Sequence, residues 1–234
     1  MTTELEVKIK EIIQRTYNVK SFRVELDGKV DFQAGQFLQV TLKTEPELKR
    51  YLSMSSSPTE KGYIEFTKKI TQSNFSQTLD ALKPGDLLKI QYPFGNFTIQ
   101  DPQAKITFLS GGIGITPIRS IAKFVVDKKM NTEIVLVYAN RSIKDIVFKE
   151  DFEAMQKQYH RLKVIHVLSE PAPEFKCIVG LINSSVIKSE ISDYAERKFY
   201  ICGPPGMVEA MKKILSEELM LPKENIITEN FVGY

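Results

Sequence analysis

The rhythm of apolar and polar positions changes once along the chain, near residue 100. Before that point the runs "LEVKIKEIIQ", "SFRVEL", "QFLQVTL", "YIEFTKKI" and "LLKIQYPFG" are short, partly alternating, and rich in β-branched and aromatic residues. Alternation sends successive side chains to opposite faces, so each run predicts a strand. Between them, "DGK" (27–29), "AGQ" (34–36) and "KPGD" (83–86) supply turn chemistry. Short strands at this spacing predict an antiparallel barrel or sandwich. One helix interrupts them at "SQTLDAL", where Leu79 and Leu82 share a face and Ser76 is placed to cap.

Beyond the turn-like "QDPQAK" (100–105), continuous apolar runs alternate with helical spacing. "ITFLS" precedes "PIRSIAKFVVDKK", in which Ile118, Ile121, Ala122 and Val125 fall on one face. "EIVLVYAN" precedes "FKEDFEAMQKQY", and "LKVIHVLSE" follows. "KFYICGPP" then precedes "GMVEAMKKIL", striped by Met207, Ala210, Met211 and Ile214. Apolar strands alternating with helices predict a parallel sheet covered on both faces. The expected organisation is two domains, an antiparallel β-barrel over 1–100 and an α/β domain over 101–234.

Bulk properties exclude more than they select. The 234 residues carry 32 basic and 29 acidic side chains, a net +3 with no long basic run, which argues against a nucleic-acid binder. No run approaches the ~18 apolar residues of a membrane span, and the opening "MTTELEVKIKEII" lacks a secretory h-region. Two cysteines, Cys177 and Cys202, cannot ligate an iron–sulfur cluster, and reduced thiols fit the cytoplasm. His160 and His166 sit at a helix end and inside an apolar strand, so neither is assigned a metal or acid–base role, and Cys177 is structural.

The stretch "KITFLSGGIGITPI" (105–118) places Gly111, Gly112, Gly114 and Thr116 between a predicted strand and a predicted helix. Glycines permit close backbone approach, and a helix N-terminus faces an anion with unpaired N–H groups. Pro117 suits the first helical turn. The same proline stands where the dinucleotide fingerprint has its third glycine, and no Lys-Ser/Thr follows to make a P-loop. By itself the loop reads equally as strand-to-helix punctuation.

Three further segments give it company: "AGQF" at 34–37, "RYLSMSSSP" at 50–58 and "CGPPGM" at 202–207. Together, in this order and across the whole chain, the four resemble the ferredoxin–NADP reductase superfamily. That resemblance implies a flavin-binding barrel followed by a nicotinamide-binding α/β domain. It implies FAD rather than FMN, with NADH or NADPH as electron donor. Arg50 would hold the flavin phosphates and Ser53 would lie near flavin N5. The family tyrosine before that serine is here Leu52, with Tyr51 one place earlier and so on the opposite face. Thr67, Lys68 and Lys69, and the helix start Asn74, Phe75 and Ser76, are the other flavin contacts implied.

In the second domain the resemblance puts the nicotinamide cofactor's pyrophosphate on Gly111, Gly112 and Gly114, with Thr116 near the nicotinamide. Cys202, Gly203, Pro204 and Met207 match the family's C-G-P-x-x-M. Cys202 and Ser53 would line the transfer site with Glu229, a near-terminal carboxylate, and Tyr234 would cover the flavin, with Phe231 as the alternative. Arg141 favours the 2′-phosphate of NADPH, whereas Glu170, beside Ser169, would repel it and favours NADH. The implied activity is an NAD(P)H-dependent flavoprotein reductase passing electrons to a separate acceptor, such as ferredoxin or another redox protein. The rival is an electron-relay subunit with little activity outside a larger complex.

Overall fold

A computed structural model of the chain describes residues 2–26, 31–102 and 104–229. Two compact units divide it: the first holds the chain up to residue 99 together with 116–124, the second holds 100–115 and the chain from 125. Tyr234 and Phe231 lie outside the described residues.

The first unit contains β1 (Thr3–Thr16), β2 (Val19–Glu25), β3 (Phe37–Leu42), β4 (Leu48–Ser53), β5 (Tyr63–Lys69), α1 (Asn74–Ala81) and β6 (Leu87–Phe94). Its strands form one antiparallel sheet in the order β4-β3-β6-β1-β2-β5. β1 is long enough to serve two partners: Thr3–Lys8 pairs with β6, and the part from Ile9 to Thr16 pairs with β2. The ends of the sheet are linked where Met54, just after β4, bridges Phe66 of β5. Inside lie Phe22, Val24, Leu38, Val40, Met54, Ile64, Phe66, Phe75, Leu79 and Leu88, with the Phe22 and Phe66 rings stacked at 5.4 Å. Apart from Met54 and the α1 residues Phe75 and Leu79, these are the apolar members of the alternating strands, as the pattern requires.

Two local features differ from expectation. β4 carries no alternation signal, because "LKRYLS" is mostly exposed, and its strand form is imposed by pairing with β3. The cap of α1 is Ser73 and not Ser76. The Ser76 N–H donates to Ser73 Oγ at 3.3 Å, which places Ser76 in the first turn, fully buried.

The second unit contains β7 (Lys105–Gly111), the ends of α2 (Ile115–Lys128), β8 (Glu133–Asn140), α3 (Lys149–Gln158), β9 (Leu162–Leu168), β10 (Ile178–Val179), α4 (Ser184–Glu190), β11 (Lys198–Cys202), α5 (Pro205–Lys213) and β12 (Ile226–Glu229). All its strands are parallel, in the order β10-β9-β8-β7-β11-β12. One face of the sheet packs Leu109, Val137, Ile165, Val167 and Ile201 against Ile187 of α4 and Val208 and Met211 of α5. The short β10, β12 and α4 carry too few apolar residues to stand out in sequence. No helix among the described residues is long and apolar enough to cross a membrane.

Candidate active site

In the parallel sheet the strand order reverses between β7 and β11. Ligands of open α/β sheets bind outside the carboxyl ends of the strands at such a reversal. Here both strands run into glycine-containing loops and then into helices. α2 starts at Ile115 and α5 at Pro205, so two helix N-termini open at the same end.

The two loops approach through backbone. A Cβ placed on Gly114 would lie 2.5 Å from the Cys202 carbonyl carbon and 2.6 Å from Gly203 N. One placed on Gly111 would strike the Met207 sulfur and lie 3.2 Å from Pro204 Cδ. Gly112 faces open space but sits at φ +52°, the left-handed region. Gly111 and Gly114 therefore serve loop packing, and Gly112 serves the turn. Met207 does double duty, lying against Gly111 and on the edge of the helix core.

A row of polar residues crosses the carboxyl end of this sheet in register: His166, Tyr138, Ser110, Cys202 and Glu229. The hydroxyl of Ser110, Nδ1 of His166 and Oε2 of Glu229 are buried with no hydrogen-bond partner among the described residues. Burial pushes the Glu229 carboxyl up to about 7. It also holds the Cys202 thiol well above its usual range, with the Glu229 charge adding to it. Cys202 is thus a neutral thiol, a small apolar wall. Tyr138, fully buried, donates its hydroxyl to the Gly112 carbonyl at 3.0 Å and accepts from the Val147 N–H at 3.3 Å. Sequence reasoning missed Tyr138. A lone tyrosine inside the aliphatic "EIVLVYAN" was the available signal, since a buried phenol needs a partner.

Further along the carboxyl end, Arg141 follows β8 and Glu170 follows β9. Arg141 Nε and Glu170 Oε1 are 2.7 Å apart, and the backbones pair through Glu170 N–H to the Arg141 carbonyl at 2.9 Å. Ser169 Oγ donates to the same carbonyl at 3.4 Å.

In the first unit, Arg50 and Leu52 project from one face of β4 and Tyr51 from the other. The Arg50 guanidinium lies 5.7 Å from the Phe75 ring centroid, and Leu52 packs on the core. Tyr51, half exposed, joins the Phe37 and Phe94 rings edge-on at 5.6 and 5.7 Å, away from Arg50. Lys68 belongs to the Arg50 group: burial, then the Arg50 and Lys69 charges, lower its pKa. Neither Arg50 nor Lys68 has an acidic partner among the described residues. Two neighbouring cations with no counter-charge are what a bound anion would relieve. Ser53 ends β4 with a buried hydroxyl that has no partner among the described residues. Thr67 lies on the other face of β5, its hydroxyl 2.7 Å from Ser21 Oγ and 2.8 Å from Ser55 Oγ, and Lys69 is exposed beyond it. Asn74 opens α1, and Ser76 Oγ is spent on Thr71 and Ser73 at 3.1 Å.

Residues 4–99 match the family described as oxidoreductase FAD-binding domain, and residues 108–213 match oxidoreductase NAD-binding domain. The chain belongs to the ferredoxin–NADP reductase superfamily. A solved member of that fold, the cytochrome b5 reductase domain of Ulva prolifera nitrate reductase, superposes with a TM-score of 0.86 at 25% identity, covering 97% of each chain. The F subunit of the Na(+)-translocating NADH-quinone reductase of a Marinomonas species is 30% identical over 93% of this chain and 57% of its own length. The glycine betaine monooxygenase reductase subunit of Pseudomonas aeruginosa is 32% identical over 89% and 59%. The chain thus spans somewhat more than half the length of these curated relatives. It thus carries an oxidoreductase FAD-binding domain followed by an oxidoreductase NAD-binding domain. The unpaired Arg50–Lys68 cations and the orphan Ser53 hydroxyl fit a flavin, and the glycine cradle with its helix N-termini fits a nicotinamide dinucleotide.

Proposed function

We propose that the chain is a reductase module that takes reducing equivalents from NADH and passes them to a separate redox protein, such as a ferredoxin. FAD, held there, would supply hydride acceptance from the nicotinamide and electron delivery to that acceptor. The observation that carries the reading is the backbone-to-backbone packing of "GGIGITP" against "CGPPGM" at the strand-order reversal. On this reading Gly112 and the α2 N-terminus hold the dinucleotide's pyrophosphate, with Thr116 beside them. The Tyr138 hydroxyl fixes the Gly112 carbonyl, so the loop is set before any ligand arrives. Arg50 and Lys68 take the flavin phosphates beside Phe75 and the start of α1. Leu52 covers the flavin with apolar surface, and Ser53 offers it the free hydroxyl. Cys202 and Glu229 wall the nicotinamide end of the dinucleotide site, and hydride transfer needs aligned rings more than a titrating group. Tyr51, Thr67 and Lys69 have no part in it.

NADH is favoured by the Arg141–Glu170 pair. The guanidinium already faces a carboxylate at 2.7 Å, and that carboxylate opposes a 2′-phosphate. Both cysteines are free, which fits a reducing cytoplasm. The separate acceptor is supported by likeness to a monooxygenase reductase subunit. A second reading, a relay subunit active only within a larger complex, draws on the fact that both relatives are named as subunits.

The test is an anaerobic absorption spectrum of the purified protein with NADH and, separately, NADPH. Flavin bands near about 370 and 450 nm should bleach faster with NADH. A protein that stays colourless after incubation with FAD and FMN refutes the proposal. A yellow protein bleached by neither nucleotide supports the relay reading.

A further inference from the structure

The run Ser55-Ser56-Ser57 follows Ser53 closely and is buried throughout. It is held from two sides. From β5, the Glu65 carbonyl accepts the N–H groups of Ser55 and Ser56 at 2.7 and 3.2 Å, and Ser55 Oγ donates to Glu65 Oε1 at 2.9 Å. Glu65 is itself fully buried and pairs with Arg15 at 3.0 Å and Arg23 at 2.9 Å. From α2, Arg119 donates to the Ser55 carbonyl at 3.1 Å, and Ser120 Oγ donates to the Ser56 carbonyl at 2.6 Å. The same Arg119 forks onto both carboxylate oxygens of Glu60, the Nη2–Oε1 arm at 3.1 Å. Glu60 in turn accepts from Tyr63 Oη at 3.0 Å and from the Ser57 N–H at 2.7 Å. Arg23 closes the ring of contacts, its guanidinium 4.6 Å from the Tyr63 ring centroid.

Arg119 is 5% exposed, and an arginine is seldom buried without a specific partner. A plain structural tie would need only the Glu60 carboxylate. The additional bond to a main-chain carbonyl two residues past Ser53 fixes the path of the segment that carries the Ser53 hydroxyl. Arg119 also lies one turn into α2, the helix whose first residue, Ile115, follows Gly114 of the glycine loop.

We propose that Arg119 is a positioning residue: it sets the Ser53–Ser57 segment and carries the effect of nucleotide binding at the glycine loop along α2 to that segment. A helix moves as a rigid element, so tightening of its first turn on an anion is felt one turn later. The proposal rests on the reading that the glycine loop binds the nicotinamide nucleotide.

The experiment measures hydrogen exchange of the peptide covering residues 53–60 in the flavin-loaded protein, with and without NAD+ and NADP+, alongside calorimetric binding of each nucleotide. In the wild type the nucleotide that binds should slow exchange in this peptide by about threefold. Arg119→Gln should bind the nucleotide within about twofold of wild type, lose that slowing, and lower kcat about tenfold with KM little changed. Arg119→Lys keeps a cation for Glu60 without the fork, so it should fold if the glutamine variant does not, and show the same uncoupling. Tight nucleotide binding with no effect on the peptide in the wild type overturns the coupling while leaving the nucleotide site intact. A uniform loss of melting temperature, flavin and nucleotide affinity in both variants marks Arg119 as merely structural and overturns it too. If neither nucleotide binds the wild type, the functional reading and this proposal fall together.

Discussion

Replacing Gly114 by alanine puts the packing of the two loops to a direct test. The glycine is in a helical conformation at φ −61°, so backbone strain plays no part and the effect is steric. The new methyl would sit 2.5 and 2.6 Å from backbone atoms of Cys202 and Gly203, where ordinary contact begins at 3.4 Å. Neither obstacle is a side chain that can swing away, so the loops must part by roughly 1 Å, a displacement that can cost ~100-fold when it reaches bound reactants. Overpacking of this kind destabilises by about 1–3 kcal/mol. Gly112→Ala serves as a comparison for stability only, since Gly112 lies on the proposed pyrophosphate site: its methyl meets no protein atom, and the left-handed backbone costs about 1–2 kcal/mol. The assay is equilibrium titration with NAD+ and NADP+ together with a thermal melt. Gly114→Ala should weaken nucleotide binding more than ~10-fold and beyond what its melting temperature explains, whereas Gly112→Ala should lose stability without losing the loop contact. Wild-type nucleotide affinity and an unchanged melt for Gly114→Ala would refute the argument that this glycine exists for close approach.

Other consequences follow from the same geometry. If Arg50 holds the flavin phosphates as proposed, Arg50→Gln should weaken FAD binding by about 10- to 100-fold, read by flavin fluorescence on titrating the apoprotein. Glu170→Ala should raise the NADPH:NADH ratio of kcat/KM by roughly tenfold, since it removes the carboxylate that repels a 2′-phosphate and that the Arg141 guanidinium faces at 2.7 Å. The Glu229 carboxyl is raised from 4.5 to about 7, so the fold prefers it protonated. Its contribution is full below pH 4.5 and is lost as pH rises through about 7; denaturant melts across that window should show a downward slope that Glu229→Gln removes.

The rhythm of apolar positions revealed both sheets because each strand's periodicity matches its burial. Strands covered on both faces, such as "EIVLVYAN", read as continuous apolar runs, and the half-covered strands of the first unit read as alternation. β4 escaped for a physical reason: Lys49, Arg50 and Tyr51 in its middle are exposed, and its Leu48 and Leu52 are only partly buried against the core, so "LKRYLS" shows no apolar alternation. The functional glycines were legible as a group but not by role, because their Cβ contacts come from a loop about 90 residues away. The one-residue offset at Tyr51 and Leu52 came from the family resemblance, and strand alternation turned it into opposite faces; Tyr51 lies with Phe37 and Phe94. Arg119 was invisible: beside Ile118 and Ile121 it looks like the polar face of an ordinary helix, and its partners Ser55 and Glu60 lie about 60 residues earlier.

The compact grouping of residues 116–124 with the first unit bears on how this protein can be taken apart and recombined. A cut at the sequence boundary near residue 100 would strip that unit of Arg119 and Ser120, and of Ile121, whose Cδ1 would lie 2.8 Å from a Cβ on Gly35. A fragment ending there would bare a buried arginine's acidic partner, Glu60, and leave the serine run tied on one side only. Chimeras that exchange flavin modules among relatives should therefore carry a matched α2 with the module. Such an exchange inherits a discontinuous heirloom, in which nine residues from the middle of the other half must travel with the first.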